Sequence, residues 1–304
     1  LDIGGTKVAA ALVDATGTLV HAANRPTPND RGAEQVWAAV QEVIAEATRI
    51  AAGVVGAVGI GSAGPIDLAT GTVSPINIAC WRGFPLRDRV AAMVPGVPVR
   101  LAGDGVCMAL GEHWRGAGRG SRFLLGMVVS TGVGGGLVLD GAPYQGRTGN
   151  AGHVGHVVVD PEGQVCSCGG RGCVETVAAG PAMVRWARAN GWTAPPGATA
   201  LELADAAAAG DAVALRAFRR GATALAAMIA SVAAVCDLDL VVIGGGIARS
   251  GPLLFDPLRT ALAAYGRLDY LTGVRVVPAE LGSNAGLVGA AALAGALPDY
   301  RCFG

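Results

Sequence analysis

The segment LDIGGTKVAAALVD, at residues 1–14, recurs in outline as MVVSTGVGGGLVLD at residues 127–140. Each copy has the pattern of an apolar strand, a glycine-rich turn and a second apolar strand that ends in aspartate. After the first copy, a short turn and a third apolar run, TLVHAA, complete the pattern of an antiparallel meander. The repeat therefore predicts a duplicated fold.

Helical and strand patterns follow each copy. Apolar residues at helical spacing predict a helix over 31–52, and GAVGIGSAG at 56–64 predicts a buried strand that ends in a glycine loop. Further helices are predicted at 86–94, from Asp104, at 180–190, at 199–209, at 211–236, from 251 and from 284. This alternation is typical of the α/β class. A chain of 304 residues fits two lobes, which we place at 1–103, completed by a C-terminal helix at 284–304, and at 104–283.

The composition indicates a compact protein that acts on small molecules. Hydrophobic residues make up 52% and charged residues 15% of the chain, against a usual charged share of about 25%. Lys plus Arg equals Asp plus Glu at 23 each, so we expect no basic surface for nucleic acid or membrane. The apolar run at 222–236 is shorter than the ~20 residues of a membrane span, which predicts a buried helix. The sequence shows no secretory signal ahead of its first strand, and the expected location is cytoplasmic.

Four soft metal ligands fall within GHVVVDPEGQVCSCGGRGC at 155–173, namely His156, Cys166, Cys168 and Cys173. Glycines between and beside them supply the tight turns that a tetrahedral zinc site needs. Disulfides are the alternative, but two cysteines separated only by Ser167 cannot easily bridge each other. We therefore predict a structural zinc ion.

Three loops carry clustered glycine after a strand: Asp2–Lys7, Ser130–Gly136 and Ile243–Ala248. Glycine lets backbone N–H groups approach phosphate oxygens, so together these loops suit a nucleotide triphosphate. Any one of them alone is as well explained by ordinary turn chemistry, because 48 residues of the chain are glycine. None fits the Walker pattern or the dinucleotide GxGxxG unit.

Two aspartates are best placed for chemistry. Asp2 lies at the mouth of the first loop, where a carboxylate can orient a hydrated Mg²⁺ on the phosphates; the alternative is a turn residue. Asp104 lies at a strand-to-helix junction, where it could accept the proton of a substrate hydroxyl. Its alternative is a helix N-cap.

Asp2–Lys7, GPID at 64–67, the STGVGGG loop, the AGHVGH…CSCGGRGCVE run and the GGGIA turn, in this order, resemble the ROK family of sugar kinases and sugar-responsive repressors. The resemblance covers nearly the whole chain. It implies an actin-like or hexokinase-like (ribonuclease H-like) duplicated α/β fold with two lobes around a cleft. It also implies ATP as the nucleotide, a sugar at the bottom of the cleft and zinc that supports the sugar-binding loop.

The resemblance further implies roles for individual residues. Asp104 would be the catalytic base on the sugar hydroxyl, and His156 would both bind zinc and face the sugar. The other implied sugar-site residues are Gly64, Asn77, Gly103, His153 and Glu175. The implied ATP side comprises Gly4, Gly5, Thr6, Lys7, Thr131, Gly132 and Gly245, together with Asp2.

Two positions depart from the family's kinases, which commonly carry Asn where Gly103 stands and Glu where His153 stands. Both usual side chains hydrogen-bond sugar hydroxyls, and each such bond contributes about 0.5 to 1.5 kcal/mol net. The departures predict a substrate other than plain glucose, such as an aminohexose like kanosamine or a valiolone-type cyclitol. The alternative is that His153 and a water rebuild the same contacts.

The resulting prediction is an ATP-dependent kinase of the 6-hydroxyl of a hexose or hexose-like ring. A sugar-responsive regulator is the second reading, but family repressors carry a DNA-binding segment before the kinase-like part, and here the first glycine loop begins at residue 4. A catalytically dead sugar sensor is the third, although Asp104 and all three loops are present. ATP or polyphosphate as donor is left open, and a homodimer is expected.

Overall fold

The computed structural model describes residues 1–52 and 54–296. The strands are β1 (Asp2–Ile3), β2 (Lys7–Val13), β3 (Leu19–Pro26), β4 (Val58–Ser62), β5 (Ile66–Asp67), β6 (Thr72–Val73), β7 (Val99–Gly103), β8 (Leu124–Val129), β9 (Val133–Leu139), β10 (Ala142–Tyr144), β11 (Leu240–Gly244) and β12 (Arg275–Pro278). The helices are α1 (Ala33–Ile50), α2 (Leu86–Met93), α3 (Asp104–Arg115), α4 (Glu175–Ala178), α5 (Gly180–Ala189), α6 (Ala200–Ala208), α7 (Ala212–Cys236), α8 (Pro252–Tyr265), α9 (Asp269–Thr272) and α10 (Ala285–Ala291).

The two five-stranded sheets have the same strand order. The first is β3-β2-β1-β4-β7 and the second is β10-β9-β8-β11-β12, so each runs third, second, first, fourth, fifth in chain order. In the first sheet β1, β2 and β3 are antiparallel neighbours, and β4 and β7 add in parallel. In the second, β11 pairs in parallel with both β8 and β12. The duplication and the meander predicted from the repeat are confirmed.

The chain divides into two compact units. The first unit comprises Leu1–Arg122, Gly136–Gly152 and the chain from Ser283, and the second comprises Phe123–Gly135 and His153–Gly282. The predicted lobes, 1–103 with 284–304 and 104–283, assign residues 104–122, 136–152 and 283 differently. The predicted C-terminal helix at 284–304 begins as α10, which ends at Ala291, and a helical segment with a kink at Gly295 follows to Ala296. Residues 297–304 lie outside the described part.

Close packing of α3 on α10 explains why α3 clusters with the first unit. Gly111 of α3 lies against the backbone carbonyl of Ala285, and Gly289 of α10 lies against that of Cys107. A β-carbon at either glycine would overlap the facing backbone. The two helices therefore approach closely because small residues line their contact.

Helix α7 is the longest helix of the second unit and carries the apolar run 222–236. It is long and apolar enough to cross a membrane by length and composition, a test that core helices also pass. Leu225, Met228 and Ile229 are fully buried, which agrees with the predicted buried helix, while Val235 at its end is 85% exposed. Asp237 ends the helix in a left-handed conformation.

Candidate active site and metal centre

The four predicted metal ligands come together in the second unit. One ligand atom from each of His156, Cys166, Cys168 and Cys173 lies within 4.8 Å of the other three. The Sγ atoms of Cys168 and Cys173 are 3.8 Å apart, and Sγ of Cys166 is 3.7 Å from Nδ1 of His156. A tetrahedral zinc ion, with Zn–S near 2.3 Å and Zn–N near 2.0–2.1 Å, places its ligand atoms about 3.6 to 3.8 Å apart. The donor set and its spacing therefore fit zinc, and the three cysteines are free thiols, not disulfides.

Glycine turns shape the loop that carries the thiols. The N–H of Cys166 donates to the Gly170 carbonyl at 2.7 Å, and the N–H of Gly169 donates to the Cys166 carbonyl at 2.9 Å. Gly169 and Gly172 have φ of 89° and 73°, in the left-handed region that favours glycine. A β-bridge between Val158 and Cys173 closes the base of the loop.

The thiols of this loop differ in acidity. Burial, together with the neighbouring Cys166 and Cys168, raises the pKa of Cys173 to about 12. The N–H of Gly170, which donates to Sγ of Cys168 at 3.4 Å, lowers the pKa of that exposed thiol. Because the thiolate is the metal ligand, a metal that binds here displaces protons from the loop.

The predicted sugar-site residues of the second unit surround the metal loop. The rings of His153 and His156 are nearly parallel, with centroids 6.4 Å apart and an interplanar angle of 18°. Glu175 begins α4 two residues after Cys173, and its Oε2 accepts a hydrogen bond of 2.9 Å from the N–H of Val133. The structure thus brings His153, His156 and Glu175 into one part of this unit, beside the second glycine loop.

The two glycine loops of the second unit lie side by side. They follow β8 and β11, which are adjacent parallel strands, and the carboxyl ends of such strands are common ligand sites. The N–H of Ile247 donates to the Val129 carbonyl at 3.0 Å, and Gly245, with φ of 97°, packs against the same carbonyl. The predicted ATP residues Thr131, Gly132 and Gly245 therefore belong to one cluster of loops.

Asp104 is the first residue of α3, directly after β7. The N-cap position is taken by Gly103, and Asp104 is one residue inside the helix, so the reading of Asp104 as the N-cap is wrong. Oδ1 of Asp104 accepts the N–H of Gly105 at 2.7 Å. The Asp104 side chain is exposed, as a group that meets a substrate must be before binding. Gly103 is extended, with φ −63° and ψ 147°, and a β-carbon there would meet nothing within 4 Å.

The first glycine loop connects β1 to β2 in the first unit. The N–H of Gly4 donates to the Lys7 carbonyl at 3.0 Å. A β-carbon on Gly5 would lie 2.8 Å from the Asn77 side chain, so the loop and Asn77 are in contact. The carbonyl of Gly64 accepts the N–H of Ile76 at 3.2 Å, which holds Gly64 beside the same segment. The structure thus brings Gly5, Asn77 and Gly64 together.

Asp2 lies at the start of this loop and is half-buried. Burial raises the pKa of its carboxyl, and the positive charge of Lys7 opposes that shift. A β-carbon on Gly286 would lie 3.1 Å from the Asp2 carboxyl, which places that carboxyl beside the first residues of α10. Carboxylate oxygen is a ligand that Mg²⁺ prefers, so Asp2 could hold this ion through its hydration shell.

Two residues that the sequence analysis did not single out hold the first loop in place. Oγ1 of Thr27 donates to the Gly4 carbonyl at 2.7 Å, and the side-chain amide of Asn29 donates to the Gly5 carbonyl. Both follow the end of β3, whose Pro26 pairs with Lys7. The register of the predicted meander was the signal that could have found them.

Comparison with known proteins gives one consistent result. The family model described as ROK family matches residues 1–296. A glucokinase of Thermotoga maritima is 37% identical, over 96% of this chain and 95% of that protein. An N-acetylmannosamine kinase of Yersinia pseudotuberculosis is also 37% identical, over 96% of both chains.

Solved structures agree with this result. A ROK family glucokinase of Streptomyces griseus, in complex with glucose and AMPPNP, superposes with a TM-score of 0.82 at 37% identity. The match covers 96% of this chain and 97% of that one. The predicted actin-like, duplicated α/β fold class is confirmed.

Proposed function

The chain belongs to the ROK family, and we propose that it is an ATP-dependent sugar kinase that phosphorylates the primary 6-hydroxyl of a hexose or modified hexose, with Asp104 as general base. The observation that carries the assignment is identity of 37% to kinases of two different sugars over nearly their full length. The retained machinery agrees with it, since Asp104 and the three glycine loops are all present. An inactive sensor would have no need of that machinery.

The proposed reaction moves one phosphoryl group and one proton. The substrate hydroxyl oxygen forms a bond to the γ-phosphorus as the bond from phosphorus to the β,γ-bridging oxygen breaks, which releases ADP. The Asp104 carboxylate accepts the hydroxyl proton. Phosphoryl transfer asks a protein mainly for positioning and charge stabilisation, so no covalent nucleophile is needed.

The glycine loops supply the positioning of the donor. The loop backbone at Gly4 to Lys7, Thr131 to Gly132 and Gly245 is the proposed phosphate-binding surface, because its glycines carry no side chain of their own that would block the approach of an oxygen to the loop N–H groups; the N–H of Gly4 itself donates to the Lys7 carbonyl. Asp2 is the proposed holder of Mg²⁺. That ion, when bound, neutralises charge on the phosphates.

Zinc is the proposed structural ion of the metal loop. His156, Cys166, Cys168 and Cys173 would hold it, and it would cross-link the loop that places His153 and Glu175. Nδ1 of His156 is the atom nearest the thiols, so Nε2 is the atom left to face a substrate. The ion takes no part in the proposed chemistry.

Gly103 and His153 are the proposed determinants of substrate choice. Gly103 has no side chain, so this position offers no amide to a sugar hydroxyl. The space around its missing β-carbon is open. His153 offers one ring in place of two carboxylate oxygens. A ring with an amino group or a missing hydroxyl, such as kanosamine, or a valiolone-type cyclitol, would suit the altered site. Rebuilding of the usual contacts by water and His153 is the competing proposal. The cytoplasmic location and the homodimer stay predictions.

A coupled assay of ADP release tests the proposed function. The purified protein, with ATP, Mg²⁺ and zinc, is assayed with glucose, mannose, N-acetylmannosamine, kanosamine and valiolone, and the position of the new phosphate is read by NMR. We expect sugar-dependent ADP release with the phosphate on the primary hydroxyl. Absence of turnover with every substrate, in protein that carries zinc and melts cooperatively, contradicts the proposal.

A further inference from the structure

We propose that Glu175 is a positioning residue that couples sugar binding to nucleotide binding through its hydrogen bond to Val133. This inference rests on the proposed function, in which Glu175 contacts the sugar and the loop at 130–136 contacts the nucleotide. The proposed function treats the sugar site and the nucleotide site separately. The bond between Glu175 and Val133 would connect them. All the residues involved lie in the second unit.

The first observation is the direct contact between carboxylate and loop. Oε2 of Glu175 accepts the N–H of Val133 at 2.9 Å, a bond that spans 42 positions of the chain. A β-carbon on Gly132 would lie 2.7 Å from the same oxygen, so the carboxylate occupies the space that glycine leaves open. Thr131 and Gly132, the proposed phosphate contacts, directly precede this bond.

The second observation is that Val133 contacts both segments that carry the metal ligands, through its carbonyl on one side and through the Glu175 carboxylate that accepts its N–H on the other. Gly155, next to the ligand His156, packs so closely on the Val133 carbonyl that a β-carbon there would overlap it. On the other side, Thr176 anchors the start of α4 to the ligand Cys173, since its Oγ1 donates to the Cys173 carbonyl at 2.7 Å. The loop at 130–136 is thus fixed between the two segments that carry the metal ligands.

The chemistry of a carboxylate explains how this contact transmits binding. An ionised carboxylate has about four lone-pair sites, so the bond from Val133 leaves acceptor positions for sugar hydroxyls. A hydroxyl bound there restricts rotation of the carboxylate and so strengthens its hold on the N–H of Val133. The loop is then ordered before the nucleotide binds, and by linkage the nucleotide raises sugar affinity by the same factor.

Two glycine substitutions in one loop separate this role from general damage. In Gly132→Ala the added methyl displaces the end of the Glu175 side chain, which is flexible, and weakens its bond to Val133. In Gly134→Ala the same methyl meets nothing within 4 Å, which makes it the matched control. Neither glycine is among those with positive φ, so alanine is permitted at both.

The measured quantity is the ratio of AMPPNP dissociation constants without and with saturating sugar, obtained by calorimetry. The probe sugar is whichever of glucose, mannose, N-acetylmannosamine, kanosamine and valiolone the wild type phosphorylates fastest. We expect a ratio of about ten in the wild type, since a hydrogen bond to a charged group can contribute that factor. The ratio should stay near ten in Gly134→Ala and fall to about one to two in Gly132→Ala.

A double-mutant cycle shows whether Gly132→Ala acts through Glu175. Once Glu175→Ala has removed the carboxylate, Gly132→Ala should change the ratio no further. Metal content and melting temperature establish that each variant is folded and that it contains zinc. A wild-type ratio of one, an unchanged ratio in Gly132→Ala, an equal loss in Gly134→Ala, or a further loss in the Glu175→Ala background overturns the proposal. Failure of the proposed function would appear separately, as absence of ADP release by the wild type.

Discussion

The side chain of Asn77 fills the space beside Gly5, so a residue of the proposed sugar site packs directly on the proposed phosphate loop. A β-carbon on Gly5 would lie 2.8 Å from both Cβ and Cγ of Asn77, and backbone-near atoms such as Cβ cannot simply swing away. At Gly4 the nearest atom to an added β-carbon is the Lys7 carbonyl oxygen at 3.6 Å, an ordinary contact. The two adjacent glycines therefore differ in what they tolerate.

We predict that Gly5→Ala raises KM for the sugar about tenfold, because it displaces Asn77 and one good hydrogen bond to the substrate corresponds to that factor. Gly4→Ala, the matched control, should leave the sugar KM within about twofold. Steady-state kinetics with sugar varied at saturating ATP measures both. Equal sugar KM values for the two variants would show that Asn77 does not touch the substrate.

Metal analysis tests the zinc centre. We expect about one zinc ion per chain in the wild type and less than half of that in Cys168→Ser, because a hydroxyl is a poor ligand for zinc beside two thiolates and an imidazole. The variant should also melt at lower temperature, since binding of a structural metal contributes to folding. Cys236→Ser, in α7 away from the ligand set, is the control and should keep its metal. A metal-free wild type with full activity contradicts the assignment.

The base is tested by Asp104→Asn. The amide cannot accept the hydroxyl proton, so kcat should fall by a factor on the order of 10² or more, while AMPPNP affinity and melting temperature stay close to wild type. Asp88→Asn is the control, because Asp88 is an exposed residue of α2 whose side chain is 69% accessible. Near-normal turnover in Asp104→Asn would leave Asp104 without a catalytic role.

Much of the fold could be predicted from the sequence because its determinants are local. The repeated strand–turn–strand pattern correctly predicted the two sheets. The apolar spacing at Val36, Val40 and Val43 predicted α1 to within two residues at each end. The metal ligands are also local, since a single loop and its base carry all four. What the sequence could not supply is the placement of α3, which depends on contacts between Gly111, Gly289 and backbone atoms more than a hundred residues away.

Contacts between residues that are far apart in the chain also explain what the sequence analysis missed in the site. The bond from Val133 to Glu175 joins two elements that share no pattern, so nothing in either segment indicates it. The small hairpin of β5 and β6 was missed because strands of two residues show no alternation. In contrast, Asp104 was placed at its strand-to-helix junction correctly, because the boundary between β7 and α3 is marked by Gly103 and a change of period.

Stability measurements test the contact between α3 and α10. Gly289→Ala should lower the free energy of unfolding by about 3 kcal/mol or more, because its methyl overlaps the Cys107 carbonyl in a packed core. Gly221→Ala, also within a helix, meets only the flexible side chain of Met183, at 3.3 Å. The gain in helix propensity, about 1 kcal/mol, should then keep its unfolding free energy within about 1 kcal/mol of wild type. Denaturant unfolding compares the two, and equal losses would contradict close packing at Gly289.

Substrate selectivity is tested by restoring the two usual residues together, in Gly103→Asn with His153→Glu. Room exists for the first change, since a β-carbon on Gly103 meets nothing within 4 Å and its backbone is extended. If Gly103 and His153 adapt the site to an altered ring, the wild type should prefer kanosamine or valiolone over glucose, because a hydroxyl left without its partner costs about 1 to 3 kcal/mol. The double variant should then gain about tenfold or more in kcat/KM for glucose and lose on the preferred substrate. Each single variant, assayed beside the double, shows which residue carries the change. A wild type that phosphorylates glucose best, with no gain in the double variant, would mean that His153 and water rebuild the usual contacts and that the enzyme is a glucokinase.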